Sequence, residues 1–309
     1  MSTLIVGSIA LDTVETPFGR AEEVLGGSAS FFAAAASLYQ PVQVVAVVGD
    51  DFPLAELDFL QERGVDFSGL QVARGESFRW GGTYNADFSA RETTFTTLGV
   101  FADFSPAIPS SFRKARIVSL GNIHPILQGE VLDQVEKPEL VVCDTMNYWI
   151  ERERDALMSL LERIDVLMVN DTEVHQLSGI ADPVRAARWV RERGPRRVIV
   201  KEGARGARLF DGEAAFRCPA FPVSRVVDPT GAGDAFAGGF AGYLAGVSRR
   251  SMDALREALV HASVMGSFAV ESFALDRLRK LDVGEVAERA RVLSEQAAFE
   301  TSPKGASLA

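Results

Sequence analysis

Short runs of apolar, mostly β-branched residues recur along the chain, and stretches with helical spacing lie between them. The runs cover residues 4–6, 42–48, 117–120, 140–143, 166–169 and 197–200. The helical stretches cover residues 28–38, 52–63, 129–134, 155–161, 173–177 and 183–193. Near-continuous apolar strands are typical of strands buried on both faces. Their alternation with helices predicts an α/β fold with a mostly parallel central sheet covered on both sides.

Two segments interrupt this alternation, residues 13–25 and 71–104, and both are rich in Gly, Thr and aromatic residues. Within the second, residues 78–84 and 92–97 have the composition of strands and predict a small separate sheet. We expect this sheet to be a lid over a site at the edge of the main sheet, with a plain surface hairpin as the alternative. The rest of residues 1–309 is predicted as one domain, mostly helical after Val226, with a loose tail over residues 301–309.

The composition indicates a folded protein and limits the cellular locations in which it is expected. An apolar content of 47% predicts a folded chain, and polar residues interrupt the longest uncharged stretches, so no transmembrane helix is expected. The first residues lack the basic start of a signal peptide. Two cysteines, Cys143 and Cys218, cannot form a disulfide framework, and this favours a reduced, cytoplasmic location.

Charge and histidine content exclude two classes of function. The net charge is −10, and no block of Lys and Arg is longer than two residues, so nucleic acid is not an expected partner. The three histidines are far apart in sequence and lack the spacing of zinc ligands. A zinc site built on these histidines is therefore not expected.

A turn of small residues, Asp-Pro-Thr-Gly-Ala-Gly-Asp at 228–234, leads directly into a predicted helix. We call residues 228–234 the anion turn. Gly231 and Gly233 allow the backbone to approach a ligand closely. The free N–H groups at the helix start, together with the helix dipole, favour a bound anion. Asp234 places a carboxylate there, and the residues alone leave open whether it caps the helix or acts as a base.

Three common motifs are missing from the sequence. No Gly-Lys dipeptide is present, so there is no P-loop, and no GxGxxG follows the first predicted strand. The GxSxG of serine hydrolases is also absent. A dinucleotide-dependent oxidoreductase is therefore disfavoured.

The anion turn resembles the C-terminal signature of the ribokinase-like (PfkB) sugar and nucleoside kinases. Three further motifs occur in the order of that family: residues 7–12 followed by Gly26 and Gly27, Asn-Asp-Thr-Glu at 170–173, and residues 201–206. The resemblance covers essentially the whole chain. It implies a ribokinase-like three-layer sandwich with a small β-sheet lid.

The resemblance also implies an enzymatic activity, the ATP-dependent transfer of a γ-phosphoryl group to a hydroxyl of a small sugar or nucleoside. Asp234 would accept the proton of the attacking hydroxyl. The backbone of Gly231, Ala232 and Gly233 would hold the transferring phosphoryl group. We expect amides at the helix start to keep Asp234 ionised.

The same resemblance implies which residues bind the nucleotide. Asn170 and Glu173 would act through water on Mg²⁺ and the phosphates, because residues three apart share a helix face and Mg²⁺ retains waters. From the residues alone, a helix-capping arrangement is the alternative. The remaining expected nucleotide contacts are Lys201, Gly203, Gly206 and Ser263.

On the acceptor side, Asp12, Gly26 and Gly27 would bind substrate hydroxyls, and Asn122 aligns roughly with a substrate-binding glutamate of the family. Phe31 stands where many relatives carry an asparagine that contacts the sugar. The implied pocket is therefore less polar than that of ribokinase.

Further positions concern a cation and the lid. Asp228 and Thr230 match positions that border a monovalent-cation site in many relatives, which adds K⁺ to ATP and Mg²⁺ as an expected cofactor. Trp80, Tyr84 and Phe101 could stack on substrate or pack within the protein.

The expected partners are a small-molecule substrate and a second copy bound through the lid, with no membrane and no nucleic acid. A catalytically inactive PfkB-like scaffold is the alternative function.

Overall fold

The computed structural model describes residues 2–301. Within this range the strands are β1 (Thr3–Val6), β2 (Ala10–Thr16), β3 (Gly19–Gly26), β4 (Val42–Gly49), β5 (Asp66–Ala73), β6 (Arg79–Tyr84), β7 (Arg91–Thr97), β8 (Ile117–Leu120), β9 (Leu140–Asp144), β10 (Val166–Asn170), β11 (Arg197–Lys201), β12 (Ala207–Asp211) and β13 (Ala214–Cys218).

The α-helices of the same range are α1 (Ser28–Ala36), α2 (Asp58–Glu62), α3 (Pro125–Gln134), α4 (Asn147–Arg152), α5 (Arg154–Leu161), α6 (Asp171–Ser178), α7 (Pro183–Arg191), α8 (Ala232–Gly246), α9 (Met252–Ala269), α10 (Asp276–Arg279) and α11 (Val283–Thr301). Short 3₁₀ helices occupy Leu54–Leu57, Gly99–Asp103 and Gly203–Arg205. Residues 302–309 of the expected tail lie outside the described residues.

The larger of two sheets has nine strands in the order β13-β12-β11-β10-β9-β8-β1-β4-β5. All neighbours from β11 to β5 run parallel, and only β12 and β13 add antiparallel pairs at one end. This confirms the predicted mostly parallel sheet. The strands β5 and β13 were not among the predicted strands, because their alternating exposure gives no continuous apolar run.

Helices cover both faces of the large sheet. Leu4 and Val6 of β1 face one hydrophobic core, whereas Ile5 between them faces the other. Helices α1, α8, α9 and α11 contribute to the core that contains Ile5, and α3, α5, α6 and α7 contribute to the opposite one. The result is the three-layer α/β arrangement expected from the sequence pattern.

The smaller sheet has four strands in the order β3-β2-β6-β7. The expected second segment of the lid, residues 71–104, is too wide. Residues 71–73 belong to β5 and pair with β4 in the large sheet. Phe101 and Phe104 pack on the core below the large sheet. In the structure, that segment contributes only β6 and β7 to the small sheet.

In residues 2–301, no helix is both long and apolar enough to cross a membrane.

Candidate active site

The carboxyl ends of four adjacent strands bring polar side chains to one edge of the large sheet. Asn122 lies just beyond the end of β8, and Asp144, Asn170 and Lys201 are the last residues of β9, β10 and β11. Gln128 Nε2 donates hydrogen bonds to the carbonyl oxygens of Gly121 (2.8 Å) and Asp144 (3.1 Å), and so ties β8 to β9. In open α/β sheets this edge is where ligands bind.

Within the anion turn, Gly231 caps α8 in the left-handed backbone region with φ of 72°. A Cβ atom at this position would lie 2.3 Å from the ring of Phe31, so any side chain would clash as well as strain the backbone. Phe31 is fully buried beneath the turn. Phe31 therefore supports the turn from below.

Helices α1 and α8 both begin at this site and pack closely against each other. A Cβ atom at Gly238 would lie 2.4 Å from the carbonyl oxygen of Phe32, and one at Gly242 would lie 3.0 Å from Cα of Ala36. The glycines of α8 thus permit a close helix contact. This packing holds two positive helix ends, capped by Gly27 and Gly231, beside one another.

Lys201 places a cation between the sheet edge and the start of α8. Its Nζ lies 3.1 Å from Oδ2 and 3.2 Å from Oδ1 of Asp144. A Cβ atom at Gly233 would lie 3.1 Å from the same Nζ. Burial alone would lower the pKa of Lys201, but the carboxylates of Asp144 and Glu173 outweigh it and raise the pKa. Lys201 therefore remains charged next to the helix start where an anion would bind.

Asp234 lies in the first turn of α8, and its carboxyl group has a pKa raised above the ordinary value. Removal from water is the main cause, followed by the charge of Asp144, while Lys201 acts in the opposite direction. A backbone hydrogen bond also lowers the pKa, but by less. The expectation that helix-start amides would control the charge of Asp234 is therefore wrong for the protein without ligands. A raised pKa makes this carboxylate a stronger base.

Asp12 joins the small sheet to the anion turn. Its carboxylate lies against Gly26, where a Cβ atom would be 2.0 Å from Oδ2, and it accepts a backbone hydrogen bond from Gly27. Burial, and then the charge of Asp228, raises the pKa of Asp12 to about 7. The structure thus brings together Asp12, Gly26 and Gly27, three of the four residues expected to bind the acceptor, close to the charges of Asp228 and Asp234.

Asn170 and Glu173 form a reciprocal capping box at the start of α6. Asn170 Oδ1 accepts from the Glu173 N–H, and Glu173 Oε2 accepts from the Asn170 N–H, both at 2.7 Å. The helix-capping alternative is therefore correct as a description of these side chains. Glu173 Oε1 takes no part in the box and lies within the electrostatic range of Lys201 and Asp144.

A directly coordinated metal does not fit this edge. In residues 2–301, no three His, Cys, Asp or Glu side chains converge closely enough to hold a metal ion. Oxygen atoms of Glu173 and Asp144 nevertheless suit Mg²⁺, which keeps several waters and takes its other ligands from phosphates. The donor set therefore fits a water-mediated ion that arrives with a nucleotide.

The other expected nucleotide contacts lie on two separate elements. Gly203 and Gly206 both have positive φ, 57° and 95°, and form the turn between the antiparallel strands β11 and β12. A Cβ atom at Gly206 would lie 2.0 Å from the Cys218 carbonyl oxygen, whereas Gly203 has open space around it. Ser263 is buried in α9, and its Oγ has no hydrogen-bond partner in the described part of the chain.

Asp228 holds the anion turn in place. Its Oδ1 accepts from the N–H of Thr230 at 2.8 Å, and its Oδ2 accepts from the N–H of Ala274 at 3.2 Å. The side chain is almost completely buried. Burial raises its pKa, and hydrogen bonds from Thr230 partly counteract that effect. Asp228 thereby links the turn to the loop that follows α9.

The three aromatic residues named in the lid have different surroundings. Phe101 stacks between Phe78 and Phe104 below the large sheet, so packing accounts for it. Trp80 pairs with Asp12 across β2 and β6, and the Arg91 guanidinium lies 5.2 Å from its ring centre. The Tyr84 hydroxyl reaches the anion turn, 3.1 Å from Thr230 Oγ1.

Asn122 has hydrogen-bond partners that the sequence did not indicate. Its Oδ1 accepts from Trp149 Nε1 at 2.8 Å, and its Nδ2 lies 3.1 Å from the Met146 sulfur. The amide is therefore held in a fixed orientation at the sheet edge. Sequence reasoning missed Trp149, because α4 carries no motif.

Asp144 was also missed, although a signal was present. It ends a buried strand at the carboxyl edge, as a polar residue should if it serves a site in an α/β sheet. Arg91 had no signal in sequence, because only the pairing of Tyr84 with Arg91 brings it to the site-facing part of the small sheet.

A comparison with known families and proteins agrees with this architecture. Residues 9–277 match the family model described as pfkB family carbohydrate kinase. Cytidine kinase from Thermococcus kodakarensis is 31% identical over 256 residues, which covers 81% of this chain and 89% of that protein.

Solved structures show the same fold. Aminoimidazole riboside kinase from Salmonella enterica, complexed with aminoimidazole riboside and an ATP analogue, matches with a TM-score of 0.73 and 22% identity, over 94% of this chain and all of the other. An E. coli protein described as a ribokinase II, in complex with ATP and Mg²⁺, matches with a TM-score of 0.77 and 21% identity, over 94% and 99% of the two chains.

Proposed function

Since the chain belongs to the PfkB family of carbohydrate kinases, we propose that it transfers the γ-phosphoryl group of ATP to a hydroxyl of a small sugar or nucleoside. The observation that carries this proposal is the convergence of Asp234 and Lys201 at the start of α8. A base and a cation there adjoin backbone amides suited to a phosphoryl group. Asp12 supplies a polar group for the acceptor nearby.

In this proposal Asp234 takes the proton from the acceptor hydroxyl as the new P–O bond forms. An alcohol is a poor nucleophile near neutral pH, and a carboxylate of raised pKa is a suitable base for it. The amides of residues 232–234 and the Lys201 ammonium stabilise the charge that spreads over the transferred group. Mg²⁺, when bound, would neutralise phosphate charge, and Glu173 and Asp144 would hold its waters.

For the acceptor we propose a nucleoside, with cytidine as the first candidate. Cytidine kinase is the relative matched over 81% of the chain. Trp80 pairs with Asp12, and paired residues project from the same face of a sheet, so an indole lies beside the hydroxyl-binding carboxylate. An aromatic base can stack on such a ring while Asp12, Gly26 and Gly27 bind the sugar.

We propose further that the small sheet is a lid whose closure keeps water away from the phosphoryl group. A homodimer through this sheet stays a prediction, and so does a K⁺ requirement at Asp228 and Thr230. Activity in potassium against sodium buffers, and the mass of the protein in solution, would test these two points.

The experiment that tests the proposal is a screen of ATP consumption over cytidine, other nucleosides, ribose, fructose and 2-keto-3-deoxygluconate. We expect turnover with at least one acceptor, together with a phosphorylated product. ATP binding without turnover on any of them would favour the inactive scaffold.

Two glycine variants give the nucleotide site its own test. In Gly233→Val the added side chain would meet Lys201 Nζ and fill the helix start, so protection by ATP against thermal unfolding should be lost. Gly129→Val is the matched control, because this helical glycine has only one Arg163 nitrogen near its Cβ position, at 3.6 Å. Undiminished ATP protection in Gly233→Val would contradict the assignment of the phosphates to the anion turn.

A further inference from the structure

A pair of hydroxyl groups connects the small sheet to the anion turn. Tyr84 Oη and Thr230 Oγ1 are 3.1 Å apart, within hydrogen-bond distance. Thr230 precedes Gly231, the residue whose left-handed backbone starts α8. A displacement of Thr230 would therefore also displace Gly231, whose backbone orients the amides of the proposed phosphoryl site.

Thr230 is also bound to the buried carboxylate of Asp228. Asp228 accepts a hydrogen bond from the Thr230 N–H at 2.8 Å and another from the Thr230 side-chain hydroxyl. A hydroxyl carries one proton, so when Thr230 donates to Asp228 the Tyr84 hydroxyl donates to Thr230. The result is a chain of hydrogen bonds from the small sheet through Thr230 to Asp228 and on to Ala274.

A second set of contacts joins the same end of the small sheet, at the turn between β2 and β3, to neighbouring segments. Phe18, in the turn between β2 and β3, has the Arg225 guanidinium 5.0 Å from its ring centre. A Cβ atom at Gly19 would lie 3.8 Å from the ring of Phe273. Arg225 precedes the anion turn, and Phe273 adjoins Ala274. The small sheet thus meets the segments on both sides of the turn.

Tyr84 is well suited to act as the fixed end of this hydrogen-bond chain. Its ring lies 6.0 Å from that of Phe88, which in turn stacks on Phe18 at 6.2 Å. Tyr84 also pairs with Arg91 across β6 and β7. A tyrosine has few rotatable bonds, so holding its hydroxyl in one place costs little conformational entropy.

We propose that Tyr84 is a positioning residue that makes the geometry of the anion turn depend on closure of the small sheet. This inference rests on the proposed kinase function. With the sheet closed, the Tyr84 hydroxyl fixes Thr230 and Asp228 and so sets the direction of the amides that follow Gly231. With the sheet open, Thr230 loses that partner, and the turn is less well ordered for transfer. Phosphoryl transfer is thereby restricted to the closed state, in which water is excluded.

The test is a comparison of Tyr84→Phe in three backgrounds: the parent, Thr230→Ser and Thr230→Val. Phenylalanine keeps the ring and removes only the hydroxyl, and the loss of one hydrogen bond in the transition state corresponds to roughly a 3- to 10-fold fall in kcat. We expect this fall in the parent and in Thr230→Ser, which keeps a hydroxyl. In Thr230→Val the same change should have no further effect.

Three further readouts separate positioning from a general loss of structure. The KM for ATP should change less than about twofold, because the nucleotide contacts are intact. Tyr148→Phe, at an exposed tyrosine on α4, should keep parental kcat and is the matched control. Hydrogen exchange of residues 79–97 and 225–235 should become faster together in Tyr84→Phe, since one bond joins the two segments.

Each contrary result has a definite meaning. An equal fall of kcat in the Thr230→Val background would overturn the proposal, since the hydroxyl would then act on something other than Thr230. A rise in acceptor KM alone would also overturn it and make Tyr84 a substrate contact. A parent protein that transfers no phosphate to any acceptor would instead refute the proposed function.

Discussion

The two sheets of this protein bury their side chains to very different extents. All four residues of β1 and of β8 in the nine-stranded sheet are buried, whereas all seven residues of β7 in the four-stranded sheet are exposed. The large sheet has helices on both faces, and alternate residues of one strand enter two separate cores. Leu11 and Leu25 of the small sheet enter the core that contains Ile5. Towards the anion turn and the segment before it, the small sheet makes contacts through Asp12, Tyr84 and Phe18.

This difference separates residues that maintain the fold from residues that respond to ligands. Substitutions in the large sheet should cost stability, because they leave cavities among atoms that cannot rearrange. Substitutions on the exposed strand β7 should leave the fold intact and change how well transfer is coupled to closure. The anion turn lies where the two meet, so changes there should cost activity without loss of folding.

The largest expected effect is that of Asp234→Asn. Asparagine keeps the shape and the capping ability of the residue but cannot accept the proton, so kcat should fall roughly 100- to 10,000-fold. This corresponds to about 3 to 5 kcal/mol of barrier. The affinity for ATP should change little or increase, since one negative charge near the phosphates is removed. Near-parental turnover in steady-state kinetics would end the assignment of Asp234 as the base.

A matched pair of phenylalanine truncations tests the comparison of the sheets directly. Phe112 is fully buried below the large sheet, whereas Phe95 on β7 is 41% exposed. Phe112→Ala should lower the free energy of unfolding by about 3 to 5 kcal/mol, and Phe95→Ala by less than about 1 kcal/mol. Denaturant titrations of both variants measure this. Equal losses would show that the small sheet is as essential to folding as the large one.

Acid should weaken the helical layer on the large sheet through His261. This side chain accepts or donates a hydrogen bond with Tyr39 at 3.0 Å and stacks on Tyr243, and burial lowers its pKa to about 4. The unfolded chain binds a proton near pH 6.5, where folded His261 does not. Stability is therefore complete above that pH and falls as the pH decreases toward 4, by up to about 3 kcal/mol.

The variant His261→Gln isolates this contribution, because glutamine can keep the hydrogen bond to Tyr39 without titrating. The pH dependence of its free energy of unfolding should be shallower than that of the parent between pH 6.5 and 4. Identical slopes would show that His261 does not carry this acid sensitivity.

The smallest expected effect concerns the lid. Deletion of residues 82–97 removes β7 and the Tyr84 end of β6, and it opens the site to water. The ratio of ATP hydrolysis to transfer should rise several-fold while the large sheet stays folded. Phe95→Ala, with the strand intact, is the control and should leave the ratio unchanged. An unchanged ratio in the deletion, with transfer intact, would make the small sheet purely structural.

The fold was accessible from sequence wherever the burial was continuous. β1, β4, β8 and β10 are mostly apolar and almost completely buried, because both of their faces meet helices. β5 and β13 lie at the ends of the large sheet and consist mostly of exposed or half-buried residues, so no continuous run marks them. The same reason explains why the lid boundary at residue 71 was placed too early.

The site residues also divide into those that the sequence identified and those that it missed. Gly231, Asp234, Asp12 and Asn170 were identified because each lies within a local motif at the end of a strand or the start of a helix. Contacts between distant segments carry no such mark, and the hydrogen bonds of Tyr84 to Thr230 and of Trp149 to Asn122 are of this kind. The pKa of Asp234 was mispredicted for the same reason, since burial and, after it, the charge of Asp144 act on this carboxyl group only in the tertiary structure.

β1 lies between β8 and β4 in the large sheet, and this position affects the order in which the sheet can form during synthesis. Thr3 pairs with Val42 on one side of the strand and with Ile117 on the other. At a synthesis rate of about 5–20 residues per second, β4 follows β1 within seconds, but the edge that β8 will cover stays open for several seconds longer. Strands β1 to β5 are thus synthesised before any strand from β8 onward exists. Until β8 arrives, Leu4, Ile5 and Val6 present an apolar, unpaired edge, the kind of surface that nascent-chain chaperones shield from aggregation.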